Sequence, residues 1–151
     1  MARPEVPDTS VLIHISRRRG AWPLLNRAIA SRRVWLSAVA IAELYAGTRS
    51  REDGMLLDRI SAAAQRSGRI LTPTPSDWAL AGRLIARHVR LRGPVRPRDH
   101  LADVLILVSA ARLGGTVVTA NVRHFQVWAG LATSAGLDVA VRPHEPESDS
   151  G

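Results

Sequence analysis

The chain has 151 residues, 46% of them hydrophobic, and a mean hydropathy of -0.02, which fits one globular domain and not a disordered or fibrous chain. It holds no cysteine, so disulfides and thiolate metal sites are excluded, and any metal must sit on oxygen or imidazole ligands. The net charge is +8 and all 21 basic residues are Arg; the planar guanidinium suits phosphate and points to a polyanionic partner, though on charge alone an Arg-rich solvated surface reads the same way.

In chain order, Glu5 to Asp8 reads as a first strand, and Thr9 or Ser10 as the cap of a short helix over Val11–Arg18. Trp22, Leu25 and Ile29 have helical spacing and predict a helix over Ala21–Ser31. Val34–Ser37 follows as a short strand, then an Ala-rich helix over Ala38–Thr48. A helix over Arg51–Ser67 is carried by Leu56, Leu57, Ile60 and Ala64 and stops at Gly68. Arg69–Thr72 reads as a strand. Ser76 or Asp77 caps a helix that runs to Arg92 and ends at Gly93-Pro94. A helix from Arg98 to Leu113 leads into a strand at Thr116–Ala120; the segment after it, with Trp128, reads as a loop, and Asp138–Val141 as an edge strand. The polar stretch from Pro143 to Gly151 is expected to be a disordered end. Short β-branched strands between helices predict an α/β chain with a mainly parallel sheet covered on both faces.

Ligands of such sheets bind outside the carboxyl ends of the strands. Asp8 ends the first strand, Glu43 lies in the helix after the second, and Asp103 lies near the start of the helix before Thr116–Ala120. Asn121 and His124 follow that strand. Glu43 and Asp103 sit in apolar company, where an unpaired carboxylate is costly. Three carboxylates at one point repel one another, and a divalent ion such as Mg²⁺ or Mn²⁺ resolves that repulsion. Each acid also has a structural reading: Asp8 as a helix cap, Glu43 as the partner of an Arg, Asp103 as a favourable charge at a helix N-terminus.

The segments PDTSVLI, SAVAIAELYAG and LADVLILVSAARLGGTVVTANVRHF resemble, in order and spacing, the PIN domain and within it the VapC-type toxins of toxin–antitoxin pairs. The resemblance covers roughly residues 5 to 143. It implies a three-layer α/β/α fold over residues 1–142 and a tail over 143–151. It further implies Mg²⁺- or Mn²⁺-dependent cleavage of RNA, with tRNA or ribosomal RNA as the substrate class, a homodimer, and a VapB-type antitoxin that blocks the acidic site. Matched by motif, Asp8, Glu43 and Asp103 take the catalytic and metal-binding places, with Thr9 and Thr119 beside them. Where family members often carry a further Asp, this chain has Asn121 and His124, and Asp99, one turn before Asp103, is a substitute.

Topology assigns Arg96, Arg98 and Arg123 to the acidic edge as phosphate contacts and Arg32 and Arg33 to the opposite one. Trp128 is the tryptophan expected to stack on bases; Trp22, Trp35 and Trp78 read as core or interface. Two other classes compete. One is a non-catalytic RNA- or partner-binding module with a decayed site. The other is a metal-free ribonuclease using pairs from His14, His88, His100, His124 and His144, of which His88 and His144 look like surface residues. No GxGxxG or GxxxxGK[ST] loop supports a nucleotide-binding module. Met1–Pro7 has no apolar run and the longest one, Val104–Val108, is short, so neither a signal peptide nor a membrane span is expected and the cytoplasm is the predicted location.

Overall fold

The computed structural model describes residues 2–18 and 21–145. The elements are β1 (Glu5–Pro7), α1 (Thr9–Ser16), α2 (Ala21–Ala30), β2 (Leu36–Ser37), α3 (Ala38–Ala46) and α4 (Arg51–Arg66). They continue with β3 (Ile70–Leu71), α5 (Pro75–Arg92), α6 (Pro97–Arg112), β4 (Thr116–Thr119), α7 (Val122–Ser134) and β5 (Ala140–Pro143). Every strand pairing is parallel: β1 with β4, β4 with β5, and β2 with β3. A bridge between Glu5 and Val34 joins the two parts in the order β3-β2-β1-β4-β5. This is the expected α/β/α fold with a short, parallel central sheet.

Pro7 explains why β1 and β2 meet only briefly. The Glu5 N–H donates toward β2 (Arg33 O, 2.8 Å) and the Asp8 N–H toward β4 (Val118 O, 2.9 Å). Pro7 is next in line on the β2 side and has no N–H to give, so that ladder stops.

The core lies around α6. Val104 to Ala111 are buried without a break, so this helix is apolar on all sides and sits in the middle of the molecule. Gly114, at φ 61°, then turns the chain, and Gly115 passes so close to Pro4 that a Cβ would lie 3.0 Å from its carbonyl oxygen. That close passage puts β4 beside β1, and the Thr116 N–H donates to Pro4 O at 2.8 Å.

Several local expectations shift. Asp8, not Thr9 or Ser10, caps α1, and Thr74, not Ser76 or Asp77, caps α5. Residues 122–134 form a helix where a loop was expected, because Phe125, Trp128, Leu131 and Ala132 share one buried face. Trp128 is 1% exposed, so it belongs to the core and not to a base-stacking surface. β5 runs on to Pro143, and the His144 N–H donates to Thr119 O at 2.9 Å, while residues 146–151 of the expected tail lie outside the described residues.

Asp77 is buried at the N-terminus of α5. Its carboxylate accepts from the Thr74 N–H at 2.9 Å and from Arg112 Nε at 3.2 Å, while Arg112 Nη2 also donates to Thr72 O at 3.0 Å. One acid thus closes the capping box of α5 from its third position and ties the helix to the last turn of α6. Asp77→Ala removes its half of the capping box and the ion pair together, and a loss of about 2–3 kcal/mol is expected after discounting for the half-exposed arginine. For a domain of this size that lowers the melting temperature by roughly 4–12 °C. Circular dichroism melts check it, and an unchanged melting temperature contradicts it.

Candidate active site

The site begins with the turn after β1. Pro7 ends the strand, Asp8 adopts an extended backbone, and its carboxylate caps α1 by accepting from the Val11 N–H at 3.0 Å. Ser10 donates to the same oxygen, Oδ1, at 2.6 Å. The other oxygen, Oδ2, accepts from the Thr119 hydroxyl at 2.7 Å, across the gap to the end of β4. Thr119 is itself buried, and its oxygen accepts the Asn121 N–H at 2.9 Å. Asp8 is 3% exposed, so these contacts are what hold a charged group below the surface. The cap reading and the functional reading of Asp8 are therefore compatible.

Thr9, the next residue, points the other way. Its hydroxyl donates to Glu43 Oε1 at 2.7 Å and ties α1 to α3. Glu43 is exposed, against the expectation of burial, because α3 turns only Ala40 fully inward and carries Glu43 on its open side. Beside it a groove of about 600 Å³ runs between α1, α3 and α4, lined among others by Ile13, Trp22, Leu44 and Leu57 and by Arg17 and Arg49.

Asp103 lies in the second turn of α6. Its Oδ2 meets His124 Nε2 of α7 at 2.9 Å. Burial pushes its pKa above the ordinary carboxylate range, and the charge of Asp8 adds to that; His124, and more weakly His100, pull it back.

The supporting residues divide. Thr9, Thr119 and His124 each touch one of the three acids. Asn121 caps α7 with no side-chain hydrogen bond and contributes its backbone N–H instead. Asp99, in the first turn of α6, is exposed and has no side-chain bond to the cluster. Arg96, Arg98 and Arg123 are exposed at the N-terminal ends of α6 and α7. Ser10, expected only as a cap, binds Asp8; the signal was its place two residues after that acid. The histidines fall into two groups. His88, His100 and His124 surround Trp128, with the His88 ring 4.8 Å from the indole, and His144 packs against His14. His88 and His144 are therefore packed, not loose surface residues.

The donors offered to a cation are carboxylate oxygens, the kind that hold Mg²⁺ or Mn²⁺. In kind the residues fit such an ion. In position, no three acidic or histidine side chains among the described residues stand as a finished ligand cage, since Asp103 is engaged by His124 and Glu43 by Thr9.

Fold and site together define a small parallel α/β protein with acids collected at the carboxyl ends of its strands. Residues 6–129 match the model of the PIN domain, and the chain belongs to that family. It is similar in structure to DNA-bound VapBC from Salmonella typhimurium, with a TM-score of 0.65 and 20% identity over 95% of this chain and 98% of that one. FitAB bound to the IR36 DNA fragment gives 0.59 and 20% over 95% and 99%. VapBC2 from Rickettsia felis, bound to a promoter DNA fragment, gives 0.59 and 14% over 93% and 98%. At such identities the likeness is one of fold. No curated protein matches the chain.

Proposed function

We propose that the protein is a metal-dependent endoribonuclease of the VapC toxin type, restrained by a VapB-type antitoxin. The observation that carries this reading is the Asp8 carboxylate, buried between β1 and β4 and held on both oxygens by Ser10, Val11 and Thr119. Asp8, Asp103 and Glu43 are the residues that would hold Mg²⁺ or Mn²⁺. Such an ion, when bound, supplies polarisation of the phosphodiester and a water of lowered pKa.

The chain's own groups do the positioning. Ser10, the Val11 N–H and Thr119 fix both oxygens of Asp8, so its charge faces the substrate without rearranging. Glu43, exposed and steadied by Thr9, accepts the proton of the attacking water. Arg96, Arg98 and Arg123 hold flanking phosphates. The products carry 5′-phosphate and 3′-hydroxyl ends. The groove beside Glu43, apolar within and flanked by Arg17 and Arg49, is where the antitoxin is proposed to dock. The solved structures it resembles include VapBC assemblies, which supports a partner of that kind. No described helix is long and apolar enough to cross a membrane, and a cytoplasmic homodimer is proposed.

Purified protein incubated with RNA is expected to cut in Mg²⁺ or Mn²⁺ and to stop in EDTA. Full activity in EDTA with cyclic-phosphate ends overturns this reading in favour of histidine chemistry. A second reading, a module that binds RNA without cutting, is favoured by the engagement of Asp103 with His124 and by Asn121 adding no acid. It predicts RNA binding with no metal-stimulated cleavage in the same assay.

A further inference from the structure

The carboxyl edge of the sheet carries a second polar cluster next to the acids, and it is built of imidazoles with arginines around them. β5 ends at Pro143, and the next residue, His144, is fastened to β4 through its N–H on Thr119 O at 2.9 Å. Thr119 is the residue whose hydroxyl binds Asp8. One residue therefore anchors both His144 and the buried acid. The His144 ring stands edge-on to His14 of α1, with centroids 5.8 Å apart and planes at 70°. Among the described residues neither imidazole has a hydrogen-bond partner; the two rings touch each other.

The surroundings are short of negative charge. Burial first, then His14, Arg142 and Arg18, hold His144 below its ordinary pKa, and only Asp8 opposes them. Arg142 is already bonded to Glu5 Oε1 at 2.6 Å, so that acid is occupied. The paired imidazoles, with no acid bonded to them, are the counterpart of the neighbouring acids. An anion resolves the one as a cation resolves the other.

We infer that His14 and His144 form a docking subsite for a backbone phosphate of RNA adjoining the scissile one, with Arg142 and Arg18 reinforcing the field. RNA fits better than a lone anion because its chain supplies a second phosphate beside the first, and the two sites share Thr119. Contacts of this kind set register on the strand, not sequence choice. The inference rests on the RNA-cleaving reading and extends it to a residue pair outside the acidic motifs.

The test is fluorescence anisotropy of a labelled single-stranded RNA with the full chain, in EDTA so that no cutting intervenes, over a series of salt concentrations. The His14→Gln/His144→Gln protein is expected to bind roughly tenfold more weakly. Its slope of log affinity against log salt should fall by about 0.7 for each phosphate no longer neutralised. His14→Gln alone, at an exposed position on α1, should show part of the weakening without disturbing the fold. His144→Lys should keep the binding, since an ammonium serves a phosphate where an amide does not. Double-variant binding equal to wild type, with the same salt slope, overturns the subsite and leaves the ribonuclease reading standing. Weak binding that His144→Lys shares also overturns it, by pointing to a packing role. A wild-type chain with no affinity for RNA overturns both.

Discussion

Asp8→Asn is expected to lower RNA cleavage at least about a hundredfold, roughly 2.7 kcal/mol of barrier, in a protein that still folds. The asparagine oxygen can go on accepting from the Val11 N–H and Ser10, so the cap of α1 survives. The Thr119 hydroxyl can rotate to accept from the new amide. What disappears is the charge, and with it the only acid of the three that is both buried and held on each oxygen. Stability should change by about 1 kcal/mol. Asp8→Ala separates the two effects. It deletes the cap and orphans a buried hydroxyl, and should cost about 2–4 kcal/mol on top of the lost activity. Cleavage rates read beside thermal melts check both. An Asp8→Asn protein that cuts as fast as wild type contradicts the assigned role.

Trp128→Ala should produce the largest loss of stability, about 3–5 kcal/mol. For a chain of this length that is roughly 6–20 °C in melting temperature. The indole is 1% exposed and sits between the rings of His88 and His100, at 4.8 and 5.4 Å. No neighbour is placed to fill so large a space. RNA affinity measured well below the melting temperature should stay near wild type, because the ring does not reach solvent. Normal stability with lost RNA affinity would return Trp128 to a base-stacking role. His124, which engages Asp103, lies 6.5 Å from the same ring, so packing and site are neighbours here and the two measurements must be made together.

The architecture was legible because its signals are local. Apolar spacing placed α2, α4, α5 and α6 within a residue or two, and the β-branched Thr116–Thr119 placed β4. α7 was hidden by its polar start, Val122-Arg123-His124, and by Gly130 in its middle, although Phe125, Trp128, Leu131 and Ala132 hold a helical period. Caps were misplaced by one to three residues at α1 and α5 because Asp8, Thr9 and Ser10, like Thr74, Ser76 and Asp77, are all able to cap. The choice among them depends on where the strand before them ends.

Burial of the acids was not legible. Glu43, flanked by Ile41, Ala42 and Leu44, lies on the open side of its helix, while Asp8, in a polar PDTS turn, is buried. The companions of a residue in sequence alternate around a helix and do not predict its depth. Its orientation to α1 and α6 does.

By itself the sequence determined the chemistry on offer: carboxylates, hydroxyls and imidazoles at the ends of parallel strands, no thiol, and an arginine surface. The tertiary structure alone decided which of them meet. Thr119 reaches Asp8 across 111 positions, His124 turns to Asp103, and His144 comes to rest beside His14. Periodicity and capping are set by neighbours within a turn or two. Contacts between distant residues follow from strand order and from how the helices pack around α6, and no local pattern encodes those.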